Sequence, residues 1–349
     1  MFNMGDEEIL RVFVRELKPF ANKIFVNSSN PKYTEQKFGV DCFSTSLTKD
    51  IVKRVKIFIT SDIYIFGGGS VLIEHSKRNL RWYHLPARPV YLSFVIVLLG
   101  RLLGKKIIFA SNGIGPIESI HVKFLTRIIL SLAHEIIVRD KYSLRNVQDL
   151  TGKRAVLSSD IVLLSKVSKK VIRSNKTIII FPSYHMPVAE NEKMKVTREL
   201  VKFINWLSES GLKVKLIPLW YDFTFITDTW YAEFLISQGA EADITVCKSF
   251  LEISKYLSSA KFCLSMRLHG AIFSAVMEKP FIALNYNPKV KGFVDEINKN
   301  YLIELRNINV KILKERFKKL SFGKRESRNF EALKQKAKIT FKILNTYLE

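Results

Sequence analysis

An α/β protein of two Rossmann-like, doubly wound domains facing a cleft is what this sequence predicts, and three observations predict it. Runs rich in Ile, Val and Phe alternate with helix-period segments along most of the chain, the pattern of parallel sheets flanked by helices. The alternation comes in two successive series, separated by Ser165–Asn175 (SKVSKKVIRSN), a lysine-containing stretch that reads as a linker. The length, 349 residues, exceeds what one hydrophobic core ordinarily organises.

The first series opens on an amphipathic helix from Asp6 to about Leu17. Ile57–Phe66 carries a strand that runs into Gly67-Gly68-Gly69, and Tyr91–Leu103 reads as a helix. Lys106–Ala110 is a strand ending at Ser111-Asn112-Gly113-Ile114-Gly115-Pro116, followed by a helix over Val122–Leu132. Glu135–Val138 is a strand ending at Arg139-Asp140, a helix follows through Leu150, and Ala155–Ser158 is a short strand. The second series reads as strand Thr177–Phe181, helix Lys193–Ser210 closed by Gly211, strand Lys213–Leu219 and helix Trp230–Gln238. It continues with helix Phe250–Ser258, strand Lys261–Ser265, helix Leu268–Met277 and strand Phe281–Asn285. The expected domains are 1–168 and 169–322, with 323–349 as a basic helix packing back on the N-terminal domain.

Composition narrows the function classes. At 47% hydrophobic and 25% charged, the chain is an ordinary globular one. Its formal net charge of +24 attracts polyanions, whether nucleic acid, an anionic membrane face or phosphorylated substrates; solvated lysines fit equally well. From Lys311 to Lys342, about a dozen Lys/Arg face roughly three acids at helical spacing. No RRM, zinc-finger or basic-zipper pattern accompanies this charge, so nucleic acid is not an expected partner. Cys42, Cys247 and Cys263 are widely separated, which excludes a disulfide framework and a cysteine zinc site and fits a reducing compartment. The start, MFNMGDEEILRV, has no signal-peptide pattern. Pro89–Gly104 is shorter than the ~20 residues a membrane span needs and contains Arg101, so it reads as a buried core helix.

In doubly wound sheets, ligands meet the residues just after the strands. Gly67-Gly68-Gly69-Ser70 can turn its backbone N–H groups toward a phosphate or carboxylate, or form a tight turn with no ligand; it matches neither a Walker loop nor GxGxxG. Asn112-Gly113-Ile114-Gly115-Pro116 is a second such loop. Arg139 either points at an anion, with Asp140 capping the next helix, or pairs with Asp140. The sharpest signal is Ser265-Met266-Arg267-Leu268-His269-Gly270. A buried strand delivers Arg267, a fork suited to phosphate or carboxylate, and His269, an acid/base near neutral pH, to the start of an apolar helix. Lys289 and Lys291 follow the next strand and could add positive charge, or remain solvated.

These residues resemble, in order and along nearly the whole chain, the polysaccharide pyruvyl transferases, which place pyruvate ketals on cell-surface glycans. The matching pieces begin with Asn3-x-Gly5-Asp6-Glu7, Gly67-Gly68-Gly69-Ser70-Val71-Leu72 and Asn112-Gly113-Ile114-Gly115-Pro116-Ile117. They continue with Val138-Arg139-Asp140-x-x-Ser143, Ser159-Asp160, Arg267-Leu268-His269 and Tyr286-Asn287-Pro288-Lys289-Val290-x-Gly292-Phe293. The resemblance implies a GT-B-like domain pair, phosphoenolpyruvate as donor substrate with no further cofactor or metal, and a sugar or lipid-linked oligosaccharide as acceptor. It carries donor binding to Arg267, Leu268 and His269, with Arg267 and His269 as the catalytic candidates. Lys289 and Arg139 are added as donor-side cations, and Asn3, Asp6, Gly67, Gly68, Gly69, Ser70 and Asn112 as an acceptor surface on the N-terminal domain. A cytoplasmic location, with peripheral contact to an anionic membrane, goes with such acceptors.

This chain departs from the family pattern in two places. The family's usual first strand has no counterpart before Asn3, and Phe181-Pro182-Ser183-Tyr184-His185 stands where an arginine is common. A GT-B glycosyltransferase using a nucleotide sugar is the alternative.

Overall fold

The computed structural model describes residues 2–46, 49–74, 88–167, 176–221, 227–321 and 327–349. Most of the linker expected at Ser165–Asn175, together with the expected boundaries near 168 and 322, lies outside them.

The chain starts with Phe2–Asn3 (β1) and the helix Met4–Leu17 (α1), then runs Phe25–Ser28 (β2), Pro31–Phe38 (α2), Asp41–Ser44 (β3) and Ile51–Thr60 (α3). It continues through Ile63–Gly67 (β4), Arg88–Leu102 (α4), Lys106–Asn112 (β5), Ile120–Leu132 (α5), Glu135–Val138 (β6), Lys141–Thr151 (α6) and Val156–Leu157 (β7). The second series is Thr177–Phe181 (β8), Glu190–Glu209 (α7), Lys213–Leu216 (β9), Trp220–Tyr221 (β10), Asp228–Ser237 (α8), Asp243–Ile244 (β11) and Phe250–Ser259 (α9). It ends with Ala260–Ser265 (β12), Leu268–Val276 (α10), Phe281–Asn285 (β13), Pro288–Ile297 (α11), Leu302–Glu304 (β14), Val310–Ser321 (α12) and Ser327–Leu348 (α13).

Two compact units emerge: Met1–Glu8 with Ser165–Leu333, and Ile9–Leu164 with Lys334–Glu349. We call them the six-stranded unit and the companion unit. The end of α13 belongs to the companion unit, and the first eight residues belong to the six-stranded unit. The latter differs from the expected 1–168 division. The reason is backbone pairing: Phe2 and Asn3 pair antiparallel with Tyr221 and Trp220, and the Met4 N–H donates to the Leu219 carbonyl at 2.9 Å.

The six-stranded unit is built on a parallel sheet in the order β11-β9-β8-β12-β13-β14. Counted along the chain, that is the 3-2-1-4-5-6 order of a dinucleotide-fold sheet, with its switch point between β8 and β12. β8 is fully buried and β12 nearly so, which is why Thr177–Phe181 and Lys261–Ser265 read as near-continuous apolar runs. The core gathers Ile178, Ile180, Phe203, Leu216, Tyr231, Phe262 and Phe317 between sheet and helices.

In the companion unit the parallel strands form two ladders, β4-β5-β6-β7 and β2-β3. Its core is built on Ile107, Phe109, Val122, Ile129, Val138 and Val147. The strand expected over Ile57–Phe66 starts only at Ile63. Ile57–Thr60 complete α3, whose end is closed by the Ser61 N–H on the Ile57 carbonyl. The four-residue strands and short helices between Phe25 and Thr60 have no counterpart in the sequence reading. The buried-helix expectation for Pro89–Gly104 holds for one face only. Val90, Val97 and Gly100 are buried, whereas Val95, Leu98, Leu99 and Leu102 are exposed. No described helix is long and apolar enough to cross a membrane.

Candidate active site

The switch point of the six-stranded sheet gathers side chains from four loops. The strand β8 ends at Phe181 and continues into Pro182-Ser183-Tyr184-His185; β12 ends at Ser265 and continues into Met266-Arg267 and α10. The Ser265 hydroxyl ties this corner by donating to the Arg267 carbonyl at 2.6 Å and accepting from its N–H at 3.2 Å. Arg267 is the N-cap of α10 and supplies no side-chain cap, so the first N–H groups of that helix face the corner without one.

The structure gives Arg267 a partner that sequence reasoning missed. Asp228, fully buried at the start of α8, accepts from Arg267 Nε at 2.9 and 3.1 Å and from Nη2 at 2.5 Å. The same carboxylate accepts from the Trp220 N–H at 3.0 Å. Burial pushes the Asp228 carboxyl up, against the pull of Arg267, which meets it in a two-pronged guanidinium contact. Burial also works against the Arg267 charge, but Asp228, Tyr286 and Asp6 outweigh it and raise the guanidinium above its ordinary value. The Arg267 guanidinium lies 5.5 Å from the Trp220 ring centroid, and its Nη1 has no hydrogen-bond partner among the described residues. The signal for Asp228 was present as Thr227-Asp228, an N-cap followed by an acid in the first turn, but that pattern reads as capping.

Around this pair stand further functional groups. Tyr286, just past β13, has its hydroxyl pushed up by burial against the pull of Arg267, so it stays a protonated phenol. The His185 ring lies 4.4 Å from that of Trp220, edge to face. His269, half-buried in the first turn of α10, meets Gly5: a Cβ placed on Gly5 would sit 1.9 Å from the imidazole Nδ1. Glycine is thus the one residue that lets α1 approach this ring. Asn3 holds the approach by accepting from the Gly5 N–H at 3.0 Å. Leu268 is half-buried beside them. Lys289 lies half-buried in the first turn of α11, capped by Asn287, while Lys291 pairs with Asp295 at 2.6 Å.

The structure thus brings Arg267, Leu268, His269 and Lys289 into one unit, and Asn3 and Asp6 join them instead of an acceptor surface on the other unit. Gly67, Gly68, Gly69, Ser70, Asn112 and Arg139 lie in the companion unit. There Arg139 Nη1 bonds Asp160 at 3.0 Å and Nε lies 3.6 Å from Asp140, all but sealed from solvent. The two glycine loops are tied to the sheet and to each other, Gly68 N–H to the Ala110 carbonyl and Gly113 N–H to the Gly69 carbonyl, both at 2.8 Å. Gly67 and Gly68 admit α1, since Cβ atoms there would meet Phe13 at 2.8 Å and Ile9 at 2.3 Å. Asn112 donates to the Phe66 and Ala110 carbonyls. Among the described residues, no three His, Cys, Asp or Glu side chains are grouped to hold a metal ion.

A six-stranded sheet of this order, with a second α/β unit in the same chain, makes this a GT-B-like α/β protein, and an arginine and a histidine stand at its switch point. Residues 3–288 match the polysaccharide pyruvyl transferase family, and the chain belongs to it. Solved structures carry the fold across nearly the whole chain. UDP-GlcNAc 2-epimerase from Methanocaldococcus jannaschii is 12% identical with a TM-score of 0.62, covering 98% of this chain and 96% of its own. Anabaena Alr3699/HepE, solved with UDP-glucose, is 11% identical with a TM-score of 0.59, covering 98% and 95%. The Neisseria meningitidis UDP-GlcNAc 2-epimerase, bound to UDP-GlcNAc, is 10% identical with a TM-score of 0.56, covering 97% and 96%. At these identities the likeness is one of fold alone. No curated protein matches the sequence.

Proposed function

We propose that the protein transfers a pyruvyl group from phosphoenolpyruvate to two hydroxyls of a sugar, on a cell-surface polysaccharide or its lipid-linked precursor, in the cytoplasm. The observation that carries this reading is the Arg267-Leu268-His269 corner at the switch point of the six-stranded unit. The reaction needs a carboxylate and a phosphate held together. Arg267 Nη1, the uncapped start of α10 and Lys289 offer donors for both. Asp228 fixes the guanidinium plane and leaves that edge presented. The donor's methylene carbon takes a proton and becomes the methyl group, and C2 gains oxocarbenium character. One sugar hydroxyl adds there and loses its proton. Inorganic phosphate then departs, and the second hydroxyl closes the ketal and gives up the second proton. We assign His269 as the acid/base, with its ring orientation set by Gly5, and His185 as a second donor-side group at the end of β8. Arg139 has no part in this scheme, because Asp160 and Asp140 already hold it.

The test is phosphate release from phosphoenolpyruvate by the purified protein with a panel of model glycosides and no nucleotide. Mass spectrometry reads the gain of one pyruvate ketal on the acceptor. Sugar transfer from a nucleotide sugar with no use of phosphoenolpyruvate would select the glycosyltransferase alternative.

A further inference from the structure

Among the described residues, the companion unit carries an apolar surface on the outer side of α4. Helix α4 is apolar over most of its length, and its sheet-facing side is spent on Val90, Val97 and Gly100. On the opposite side Val95, Leu98, Leu99 and Leu102 recur at i, i+3, i+4 and i+7, and they are 51, 39, 45 and 74% exposed. That spacing is one continuous stripe. α5 packs against α4, with Tyr91 and His121 stacked across the pair, and adds Ile120 and Phe124 at 85 and 62% exposure. α3 extends the surface: Lys105 donates to the Ile59 carbonyl at 2.6 Å, and Ile59 is itself exposed. Single exposed aliphatics need no explanation, but an ordered stripe shared by neighbouring helices does.

The charge around it names the occupant. Neither α4 nor α5 contains an acid, and α3 contains none either. Arg101, which contacts the His134 ring, and Lys106, Lys123 and Arg127 are exposed on or beside these helices; none forms an ion pair with a described carboxylate, and Glu74 and Glu118 stand at the start of α5. Apolar side chains flanked by unpaired cations match a bilayer surface with anionic headgroups: the aliphatics enter the acyl boundary while lysine and arginine stay among the phosphates. A second copy of the chain fits less well, since an isologous contact would set this basic rim against itself. Spanning is excluded by length: fifteen residues give about 22 Å, against the ~30 Å of a hydrocarbon core.

We propose that the outward face of α4 and α5 docks the protein on an anionic membrane surface. The inference does not depend on the reaction proposed above. Flotation with vesicles of phosphatidylcholine and phosphatidylglycerol tests it, against phosphatidylcholine alone and against high salt. The wild-type chain is expected to float with the anionic vesicles and at least ten-fold less with the neutral ones. Leu98→Glu/Leu102→Glu should abolish flotation. Lys123→Glu/Arg127→Glu should lower it more than ten-fold at low salt, since each cation near the surface is worth about a five-fold gain. Leu98→Ser/Leu102→Ser covers the case in which the glutamates unfold the chain, and it should also lose flotation. Absent wild-type binding, or flotation unchanged in the leucine variants, would overturn the proposal. A vesicle-indifferent dimer that the leucine variants turn into a monomer would overturn it too, assigning the face to a second copy.

Discussion

Two arginines occupy equivalent places in the two units. Each follows a buried parallel strand, each stands at the N-cap or just before it, and each meets a buried aspartate across the sheet edge. Their surroundings differ. The Arg139 side chain is 5% exposed, with Asp160 on one side, Asp140 on the other and Ser70 within 3.4 Å. The Arg267 side chain is 21% exposed, and among the described residues Asp228 is its one hydrogen-bonded carboxylate, which leaves Nη1 uncommitted beside Trp220. An arginine delivered by a strand is therefore a candidate site only when its partners leave an edge open. With two carboxylates around it, the same residue becomes a strut between loops.

The largest expected effects sharpen this difference. His269→Ala should lower pyruvyl transfer ~10²–10⁴-fold, the usual worth of an acid/base, at nearly unchanged stability; full turnover in a folded variant would remove His269 from the chemistry. Arg267→Ala should abolish measurable phosphoenolpyruvate binding by calorimetry. It should also destabilise the chain by about 3–5 kcal/mol, because Asp228 is left buried and unpaired. Arg139→Ala should show a comparable loss in denaturant melts, yet the folded fraction should keep its turnover within about three-fold. Lost donor binding in that variant would break the comparison, by making both arginines donor residues.

A subtler effect is expected from Gly5→Ala. The new methyl would overlap the His269 ring, so the imidazole must turn away. We expect turnover to fall about ten- to a hundred-fold, with little change in donor affinity and a displaced pH–rate profile. A profile identical to that of the wild-type protein would leave Gly5 a packing residue only.

Much of this was legible in the sequence. Thr177–Phe181, Lys106–Ala110 and Phe281–Asn285 read as strands because burial on both faces makes them uniformly apolar. Arg267 and His269 were legible because strand, arginine, histidine and apolar helix follow without a gap. Three features were not. Asp228 reaches Arg267 from thirty-nine residues away, a contact that no local pattern encodes. Asn3 and Asp6 were read as part of an acceptor surface, because only the pairing of β1 with β10 carries this segment, and Gly5 with it, to His269. Apolar residues on α4 looked like core because hydrophobicity alone does not say which face meets solvent.

The smallest expected effect tests whether the companion unit's loops are structural in the way Arg139 suggests. Glu74, downstream of the glycine loop, accepts from the Glu118 and Ser119 N–H groups at 2.8 Å each and from the Ser119 hydroxyl. It serves α5 as a cap supplied from another loop, with a negative charge at the positive end of the helix. Burial pushes its carboxyl up, but the Ser119 and Glu118 hydrogen bonds and nearby His121 outweigh that and hold it below its ordinary 4.5. A pKa lower in the folded than in the unfolded chain stabilises the fold above the unfolded value, and that contribution is lost as pH falls through the folded value. Glu74→Gln should therefore cost about 1 kcal/mol at neutral pH. The gap to the wild-type chain should close as the pH drops below the ordinary carboxylate value, while pyruvyl transfer at pH 7 stays unchanged. A gap that persists in acid would show that the carboxylate charge is not what holds the loop to α5.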